Sequence, residues 1–246
     1  MDISKEKKCK VTVVLPAYNA EGTLKKTFDD IPKDIVDDII LVDDCSNDNT
    51  VKLAKELGIF VYEHKFNLGY GGNQKTCYSI ALERGADIVI MLHPDYQYDA
   101  RLISYFVGLI GDKYFDVVLG SRIRSRKETL KGGMPVYKYL ANRALSIFEN
   151  IVTGQNLSEW HTGMRAYRRE VLESINYNQF SNDFVFDSQA LFKIIEKGFV
   201  IGEIPVPVRY FQEASSINFK RSMEYGIGTV FTAFSFLFRK LIRSDE

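Results

Sequence analysis

Short apolar runs alternate with amphipathic segments over the first half of the chain. The apolar runs are rich in β-branched residues and lie at residues 10–18, 38–44, 59–64, 86–92 and 115–121. The segments between them have the apolar spacing of helices, and two of these segments end at Gly58 and Gly85. This alternation predicts an α/β fold built on a mostly parallel, doubly wound sheet.

The pattern is more elaborate after residue 121. Residues 121–133 are basic and aperiodic and predict a loop. Residues 135–154 begin with a proline and end with a glycine, which is the usual punctuation of a helix. A further helix is predicted at 185–198, followed by one or two strands at 199–211. No linker, repeat or low-complexity segment interrupts these elements, so they are interpreted as one elaborated domain.

A nearly uncharged apolar stretch, residues 225–238, lies close to the C-terminus. Basic residues flank it on both sides: Lys220, Arg221, Arg239, Lys240 and Arg243. The stretch is shorter than the ~20 apolar residues that a membrane-spanning helix needs. Its flanks favour an amphipathic helix at an anionic membrane surface, and packing on the core or on a second subunit is the alternative. We therefore divide the chain into a main domain, residues 1–220, and a C-terminal helix, residues 221–246.

Composition and charge bear on the expected partners, the state of the cysteines and the cellular compartment. The 246 residues include 32 Lys or Arg and 32 Asp or Glu, so the charge balance gives no sign of a nucleic-acid partner. Cys9, Cys45 and Cys77 lack the spacing of a metal site and are expected to be reduced thiols. The polar residues 1–10 contain no apolar signal core, from which we expect a cytoplasmic protein.

Polar side chains follow every one of the five predicted strands. They are Asn19, Asp43 with Asp44, Asn67, Asp95 and Arg122. Ligands of open α/β sheets bind at the carboxyl ends of the strands, so we expect these side chains to face one cleft.

The roles of these strand-end residues stay open at this level. Asp43 and Asp44 are suited either to capping a helix or to accepting hydrogen bonds from a ribose or a base. Asp95 and Gln97 lie two apart on a segment taken as extended, and their oxygens suit Mg²⁺ or Mn²⁺ unless they form only a polar turn. Arg122 is suited to neutralising a diphosphate, or it belongs to a solvated run of charge.

Several common catalytic motifs are absent from the sequence. There is no G-x-x-x-x-G-K-[ST] loop, and the glycines of "GYGGN", residues 69–73, do not fit G-x-G-x-x-G after a strand. The three histidines, His64, His93 and His161, lack metal-site spacing, and no Ser-His-Asp arrangement is recognisable. These absences argue against kinase-like and dinucleotide-dehydrogenase functions.

Six motifs nevertheless occur in a diagnostic order. They are "VVLPAYNAEGTL", "LVDDCSNDNT", "NLGYGGN", "HPDYQYD", "GSR" and "HTGMRAYRREVL". In order and spacing they resemble the motifs of family 2 glycosyltransferases. Within that family the chain is most similar to the polyprenyl-phosphate sugar transferases, which include the dolichyl-phosphate mannose synthases and glucosyltransferases. The likeness covers residues 10–210.

This resemblance implies a GT-A (Rossmann-like) fold and an inverting, metal-dependent hexosyltransferase. The donor would be a nucleotide-diphosphate sugar of the GDP-mannose or UDP-glucose type, and the metal ion Mg²⁺ or Mn²⁺. The acceptor would be a polyprenyl or dolichyl phosphate at the cytosolic face of a membrane, where the protein would associate peripherally, as a monomer or an oligomer. A sugar hydroxyl of a growing glycan is the alternative acceptor.

The resemblance also assigns roles to individual residues. The nucleoside pocket would be lined by Pro16, Tyr18, Glu21, Asp43 and Asp44. Asp95 would bind the metal ion with Gln97 as a further ligand, and Arg122 would hold the donor phosphates. Glu159 lies where the family usually has the aspartate that faces the acceptor.

The chain departs from the family pattern in two places, one residue and one motif. His93 replaces the first aspartate of the D-x-D metal motif, so either the metal binds more weakly or His93 hydrogen-bonds the sugar. The R-x-x-G-x-S-K-like closing motif is not in register, which leaves Arg209, Lys220 or Arg221 as substitutes that would bind the donor. These departures leave the sugar unassigned, and a sugar-nucleotide-binding protein without catalysis remains a third hypothesis.

Overall fold

The computed structural model describes residues 9–123, 125, 127, 129, 135–207, 209 and 219–244. Most of the loop predicted at 121–133 and most of the closing segment between Arg209 and Lys220 lie outside the described residues.

One sheet of seven strands forms the centre of the described chain. The strands are β1 (Val11–Ala17), β2 (Asp38–Asp43), β3 (Phe60–Glu63), β4 (Ile88–Leu92), β5 (Val117–Ser121), β6 (Met164–Arg168) and β7 (Ile201–Pro205). Their order across the sheet is β3-β2-β1-β4-β6-β5-β7. All neighbouring pairs are parallel except those made by β6, which runs antiparallel to β4 and β5. The prediction of a mostly parallel sheet is confirmed.

Helices cover both faces of this sheet. They are α1 (Glu21–Asp30), α2 (Thr50–Glu56), α3 (Tyr70–Glu83), α4 (Ile103–Gly111), α5 (Val136–Thr153), α6 (Arg169–Ser174), α7 (Phe186–Glu196) and α8 (Phe219–Ser244). One hydrophobic core packs α1, α2 and α4 against the sheet. The other packs α3, α5, α6, α7 and α8 against the opposite face. This two-faced arrangement is the predicted doubly wound architecture.

Strand β6 is the element that the hydrophobic pattern did not reveal. Its second residue is Arg165, which is fully buried. The guanidinium lies 2.9 Å from the Asp187 carboxylate and also donates to the carbonyl oxygen of Thr162 at 2.8 Å. Burial of an arginine is tolerated because a partner charge and hydrogen bonds compensate it. A strand that buries charge in this way carries no apolar run.

The glycine-rich start of α3 serves close packing between backbones. A Cβ atom on Gly71 would lie 2.4 Å from the carbonyl oxygen of Ser181. The Gly71 N–H donates to the carbonyl oxygen of Asn182 at 2.8 Å. The first amides of α3 are therefore satisfied by the protein itself, which agrees with the exclusion of a phosphate-cradling glycine loop.

The C-terminal apolar stretch forms part of α8, which packs against α5 and α7. Thr229, Ala233 and Phe236 are buried on its inner side, whereas other apolar residues face outward. None of the helices in the described parts of the chain is long and apolar enough to cross a membrane. The division at residue 220 falls just after α8 begins, and it stays a prediction.

Candidate active site

Backbone strain is concentrated at the carboxyl ends of three neighbouring strands. Asn19, Cys45 and Tyr96 follow β1, β2 and β4, and their φ angles are 51°, 68° and 58°. Side chains other than glycine rarely adopt this left-handed region, and such residues cluster at functional sites. These strands lie side by side in the order β2-β1-β4. The strained turns therefore mark one edge of the sheet as the candidate site.

The two aspartates after β2 differ in how their oxygens are occupied. Oδ2 of Asp43 accepts from the Ser46 N–H at 2.9 Å, and its buried Oδ1 has no partner in the described structure. Both oxygens of Asp44 accept backbone N–H groups, from Leu68 at 2.7 Å and from Gly69 at 2.9 Å. Buried polar atoms are normally hydrogen-bonded, so Asp43 keeps an acceptor for a ligand while Asp44 orders a loop.

The other residues assigned to the nucleoside pocket lie around Asp43. Pro16 is in β1, and it pairs in register with Val42, the residue before Asp43. Glu21 accepts from the N–H of Asn49 at 3.1 Å and from its side-chain amide at 2.9 Å, which ties α1 to the turn after β2. The Tyr18 side chain is 54% exposed. Tyr18 follows Ala17, the register partner of Asp43, and an exposed aromatic ring at this edge is suited to stacking on a base.

The segment that carries Asp95 and Gln97 is a turn, and the expectation of an extended segment was wrong. Oδ1 of Asp95 accepts from the Gln97 N–H at 3.0 Å, while Tyr96 between them has a positive φ. This hydrogen bond is the reason for the turn, since aspartate side chains commonly bond the backbone two residues later. Gln97 is buried, whereas Asp95 is only partly buried.

A divalent ion at this turn would need oxygen ligands from the substrate. No cluster of three or more His, Cys, Asp or Glu side chains in the described part of the chain has the geometry of a metal site. A single carboxylate is nevertheless enough on the protein side, because Mg²⁺ is usually held by one or two carboxylates, water and substrate phosphates. Asp95 therefore fits a metal that arrives with a diphosphate.

His93 is packed tightly at the end of β4. Its ring contacts Tyr70 edge to face at a centroid distance of 5.4 Å. A Cβ atom on Gly163 would lie 2.8 Å from Nδ1 of His93, so the ring requires a glycine there. Burial lowers the pKa of His93 despite the nearby charge of Asp95, and the ring is neutral near pH 7. Its Nε2 is buried and has no partner among the described residues.

Arg122 and Glu159, which were assigned separately to donor and acceptor, form one pair. The Arg122 guanidinium contacts Oε1 of Glu159 through Nη2 and through Nε at 2.8 Å, and its backbone N–H donates to Oε2 at 2.6 Å. Glu159 is fully buried and also accepts from the Asn142 amide at 3.0 Å. Arg122 further donates to the carbonyl oxygen of His161 at 2.7 Å. The pair is thus held by several hydrogen bonds, with Glu159 buried and Arg122 partly exposed.

Arg209 lies beside the turn after β4. Its guanidinium stacks over the Tyr96 ring at 4.4 Å and lies 3.6 Å from Asp30 and 3.9 Å from Asp99. Its backbone N–H donates to the Gln97 carbonyl oxygen at 3.0 Å. Arg209 is therefore next to the proposed metal ligands, with its charge already shared by two carboxylates.

The sequence did not indicate the support that α5 and β7 give to the Glu159 segment. Arg143 in α5 donates to the Ser158 carbonyl oxygen. The Glu203 carboxylate in β7 accepts from the N–H groups of Ser158 at 2.7 Å and of Glu159 at 3.1 Å. The available signal was the pair Asn142 and Arg143 within a predicted helix, together with a glutamate inside a short strand.

Comparison with known proteins finds a matching family and several relatives. Residues 12–175 match the family described as glycosyl transferase family 2. The chain is 29% identical to a UDP-N-acetylglucosamine–dolichyl-phosphate N-acetylglucosaminyltransferase of Methanococcus voltae, covering 81% of this chain and 86% of the relative. It is 30% identical to a dolichyl-phosphate hexose transferase of Haloferax volcanii, covering 81% of this chain and 82% of the relative.

A solved structure shares the fold at low sequence identity. Glucosyl-3-phosphoglycerate synthase from Mycobacterium tuberculosis, in complex with Mn²⁺, UDP-glucose and phosphoglyceric acid, superposes with a TM-score of 0.70 at 20% identity. The match covers 93% of this chain and 80% of that chain. The GT-A fold that the sequence motifs implied is confirmed.

Proposed function

The chain belongs to glycosyl transferase family 2, and from this premise we propose that it transfers a sugar from a nucleoside diphosphate to the phosphate of a polyprenyl lipid. The enzyme is a glycosyltransferase by family. The lipid acceptor is supported by two relatives whose names specify dolichyl phosphate. It is also supported by one feature of this chain, which is the position of helix α5.

Helix α5 is in contact with the proposed acceptor site and exposes an apolar stripe. Leu140, Ile147 and Ile151 recur at helical spacing and are exposed, Ile151 by 77%. Asn142 in the same helix donates to Glu159 at 3.0 Å. Asn142 lies on the opposite side of α5 from this stripe, so a lipid chain against the stripe would hold its phosphate within one helix diameter, ~10 Å, of the Arg122–Glu159 pair. This arrangement is the observation that carries the proposal.

Helix α8 exposes a second set of apolar side chains. Five of its apolar side chains are more than 60% exposed: Ile227, Phe231, Phe234, Phe238 and Leu241. Lys240 is also exposed close to the end of this stripe. Helix α8 contacts α5, and we call the exposed apolar residues of both helices the docking face. An apolar stripe flanked by basic residues is typical of helices at a membrane surface, so we propose peripheral association there.

The donor would occupy the edge formed by β1, β2 and β4. Oδ1 of Asp43 would accept an N–H of the base, Tyr18 would stack on it, and Asp95 would hold a divalent ion at the diphosphate end. The ion would offset negative charge on the departing nucleoside diphosphate. The similar solved structure is in complex with Mn²⁺ and UDP-glucose, which supports a divalent ion and a nucleotide-sugar donor here. GDP-mannose and UDP-sugars both fit this chemistry.

The acceptor chemistry requires little base catalysis from the protein. A phosphate monoester has a second pKa near ~6, so a polyprenyl phosphate is mostly dianionic at pH 7 and has no proton to lose. One of its oxygens attacks the anomeric carbon as the bond to the diphosphate breaks on the opposite face, which inverts the configuration. Glu159 accepts hydrogen bonds from Arg122 and Asn142, so its role is to orient that cation towards the acceptor.

The function is tested by following labelled sugar into lipid. Purified protein is mixed with radiolabelled UDP- or GDP-sugars, Mn²⁺ and vesicles that contain polyprenyl phosphate. We expect label in the organic extract from one class of donor, and none when polyprenyl phosphate is left out. Absence of lipid-linked label from every donor would contradict the proposal.

Nucleotide binding should protect Cys45 from alkylation. Cys45 is exposed between Asp44 and Ser46, whereas Cys9, also exposed, precedes β1 at the opposite edge of the sheet. At a nucleotide concentration ten times its Kd, occupancy should slow alkylation of Cys45 about tenfold. The measurement is the rate of maleimide labelling at each cysteine by mass spectrometry, with UDP or GDP and Mn²⁺. Cys9 is the internal control, and equal rates at Cys45 with and without nucleotide would contradict the site.

Removing aromatic rings from the docking face should weaken membrane binding. Phe231 and Phe238 are 74% and 67% exposed, so a Phe231→Ser, Phe238→Ser variant keeps the core intact. Each fully buried phenylalanine contributes about 1.5–3 kcal/mol, and we expect binding to anionic vesicles to fall at least ~10-fold. The control is Tyr105→Ser, Tyr114→Ser, which removes two exposed rings at helix α4 and its C-terminal end. Equal sedimentation of both variants with vesicles would assign the face to another role.

A further inference from the structure

A polar cluster connects helix α8 to the segment that carries Glu159. The Tyr225 hydroxyl of α8 hydrogen-bonds Nδ1 of His161 and lies 3.1 Å from Oγ of Ser188. Nε2 of His161 lies 3.2 Å from Oε2 of Glu149, within ion-pair distance though not aligned as a hydrogen bond. Glu149 is fully buried and also accepts from Ser188 at 3.1 Å. Tyr225 of α8 and Glu149 of α5 therefore contact the His161 ring, and Ser188 of α7 joins them to each other.

The protonation pattern of this cluster fixes the orientation of the ring. Burial raises the pKa of Tyr225, and the charge of Glu149 raises it further, so the hydroxyl keeps its proton. If Tyr225 donates to Nδ1 of a neutral His161, the ring proton sits on Nε2 and faces Glu149. Tyr225 and Glu149 therefore lie against the two nitrogens of the ring, one on each side.

His161 in turn fixes the Arg122–Glu159 pair. Its carbonyl oxygen accepts from Arg122 at 2.7 Å, and it lies two residues after Glu159 in the chain. Helix α8 therefore touches the site through Tyr225 on its inner side and carries part of the docking face on its outer side. A buried charged cluster gains little stability over apolar packing, which favours a role in specifying geometry.

We propose that Tyr225 and His161 are positioning residues, which transmit the fixed orientation of membrane-docked α8 to the Arg122–Glu159 pair. The inference rests on the proposed function, since it requires a lipid acceptor and a docked helix. When α8 is held at the membrane, Tyr225 holds the ring, and the ring holds the carbonyl oxygen that binds Arg122. Docking then raises kcat in addition to concentrating the enzyme near its acceptor.

The test compares vesicle-dependent kcat in matched variants. Transfer is measured to polyprenyl phosphate in anionic vesicles and to a short, water-soluble isoprenyl phosphate without vesicles. We expect vesicles to raise the wild-type kcat about tenfold, within the range of typical coupling between sites. Tyr225→Phe should lose this gain while vesicle binding and the KM for the donor stay unchanged. Tyr105→Phe removes the hydroxyl of an exposed side chain on α4 and should keep the vesicle-dependent gain in kcat.

A double-mutant cycle tests whether the two residues act as a unit. His161→Leu should behave like Tyr225→Phe, and the double variant should be no worse than either, because both changes break the same connection. His161→Gln keeps a side-chain acceptor for the Tyr225 hydroxyl and should retain part of the gain. Thermal unfolding of each variant is measured alongside, so that loss of folding is recognised.

Some outcomes overturn this inference and leave the proposed function intact. A full vesicle-dependent gain in Tyr225→Phe, or additive losses in the cycle, would show that the pair does not transmit docking. A wild-type kcat that vesicles leave unchanged would overturn it as well. The proposed function fails by a different result, which is the absence of lipid-linked product from the wild-type enzyme.

Discussion

Replacing Asp95 by asparagine is expected to lower the rate of sugar transfer by about 10³-fold, the upper range for losing one electrostatic contact in an active site. Asparagine keeps the oxygen that accepts from the Gln97 N–H, so the turn after β4 is preserved while the charge is lost. The loss therefore reports on binding of the metal and diphosphate. Initial rates with Mn²⁺ or Mg²⁺ measure it, and EDTA should abolish wild-type activity.

The matched control for Asp95 lies in the same segment. Asp99 is buried and pairs with Arg101 at 2.7 Å, and this hydrogen bond lowers its pKa. Asp99→Asn makes the same change of charge without touching the proposed ligands, and we expect it to retain most of the activity. Full wild-type activity in excess chelator would contradict a metal-dependent mechanism.

Glu159→Gln is expected to reduce stability strongly and catalysis moderately. The variant leaves Arg122 in a buried pair without its counter-charge, and breaking such a pair costs about 3–5 kcal/mol. If the acceptor is a phosphate dianion, no base is lost, and transfer should fall by less than ~10²-fold without a change of the pH profile above ~7. Urea unfolding and pH–rate profiles measure the two effects.

Glu203→Gln is the control for Glu159. Glu203 supports the N–H groups of Ser158 and Glu159 but makes no contact with Arg122 among the bonds described above. We expect it to lower stability with little effect on transfer. A loss of ~10³-fold or more in Glu159→Gln, with the basic limb of the profile altered, would instead favour a hydroxyl acceptor that needs a base.

The alternation of strands and helices was predictable because each element follows a local rule. Apolar runs predicted five of the strands, and glycines such as Gly154 marked the ends of helices. The pattern also predicted one or two strands from residue 199, where β7 lies. Strand β6 escaped because its buried Arg165 is compensated by Asp187, a residue of helix α7. Burial of charge depends on a distant partner, which a local pattern does not contain.

The position of the site was predictable, and its internal connections were not. Parallel strands bring their carboxyl ends together, so the residues after β1, β2 and β4 were expected to meet. The pairing of Arg122 with Glu159 joins residues 37 positions apart, and the sequence contains no signal for it. Asp43 and Asp44 are adjacent and identical in chemistry. The two differ only because a loop folds over Asp44 and donates hydrogen bonds to it, whereas Oδ1 of Asp43 has no partner among the described residues.

Helix α8 packs on the core and still exposes apolar side chains, so core packing leaves room for the membrane contact that we propose. Its inner side packs on the core through Ala233 and Phe236, while Phe231 and Phe234 remain exposed. The uncharged stretch of about fourteen residues places apolar side chains on every side of this part of the helix. The sequence pattern alone therefore does not tell the buried side from the exposed side.

The central claim is that the nucleophile is the phosphate of a polyprenyl lipid. Purified enzyme is given its labelled nucleotide sugar and three acceptors of the same prenyl length: polyprenyl phosphate, polyprenol, and a lipid-linked glycan with free hydroxyls. The products are identified by mass spectrometry. We predict a single product, the prenyl phosphate carrying one sugar with inverted anomeric configuration. Transfer to the glycan hydroxyls, or equal transfer to polyprenol, would contradict the claim.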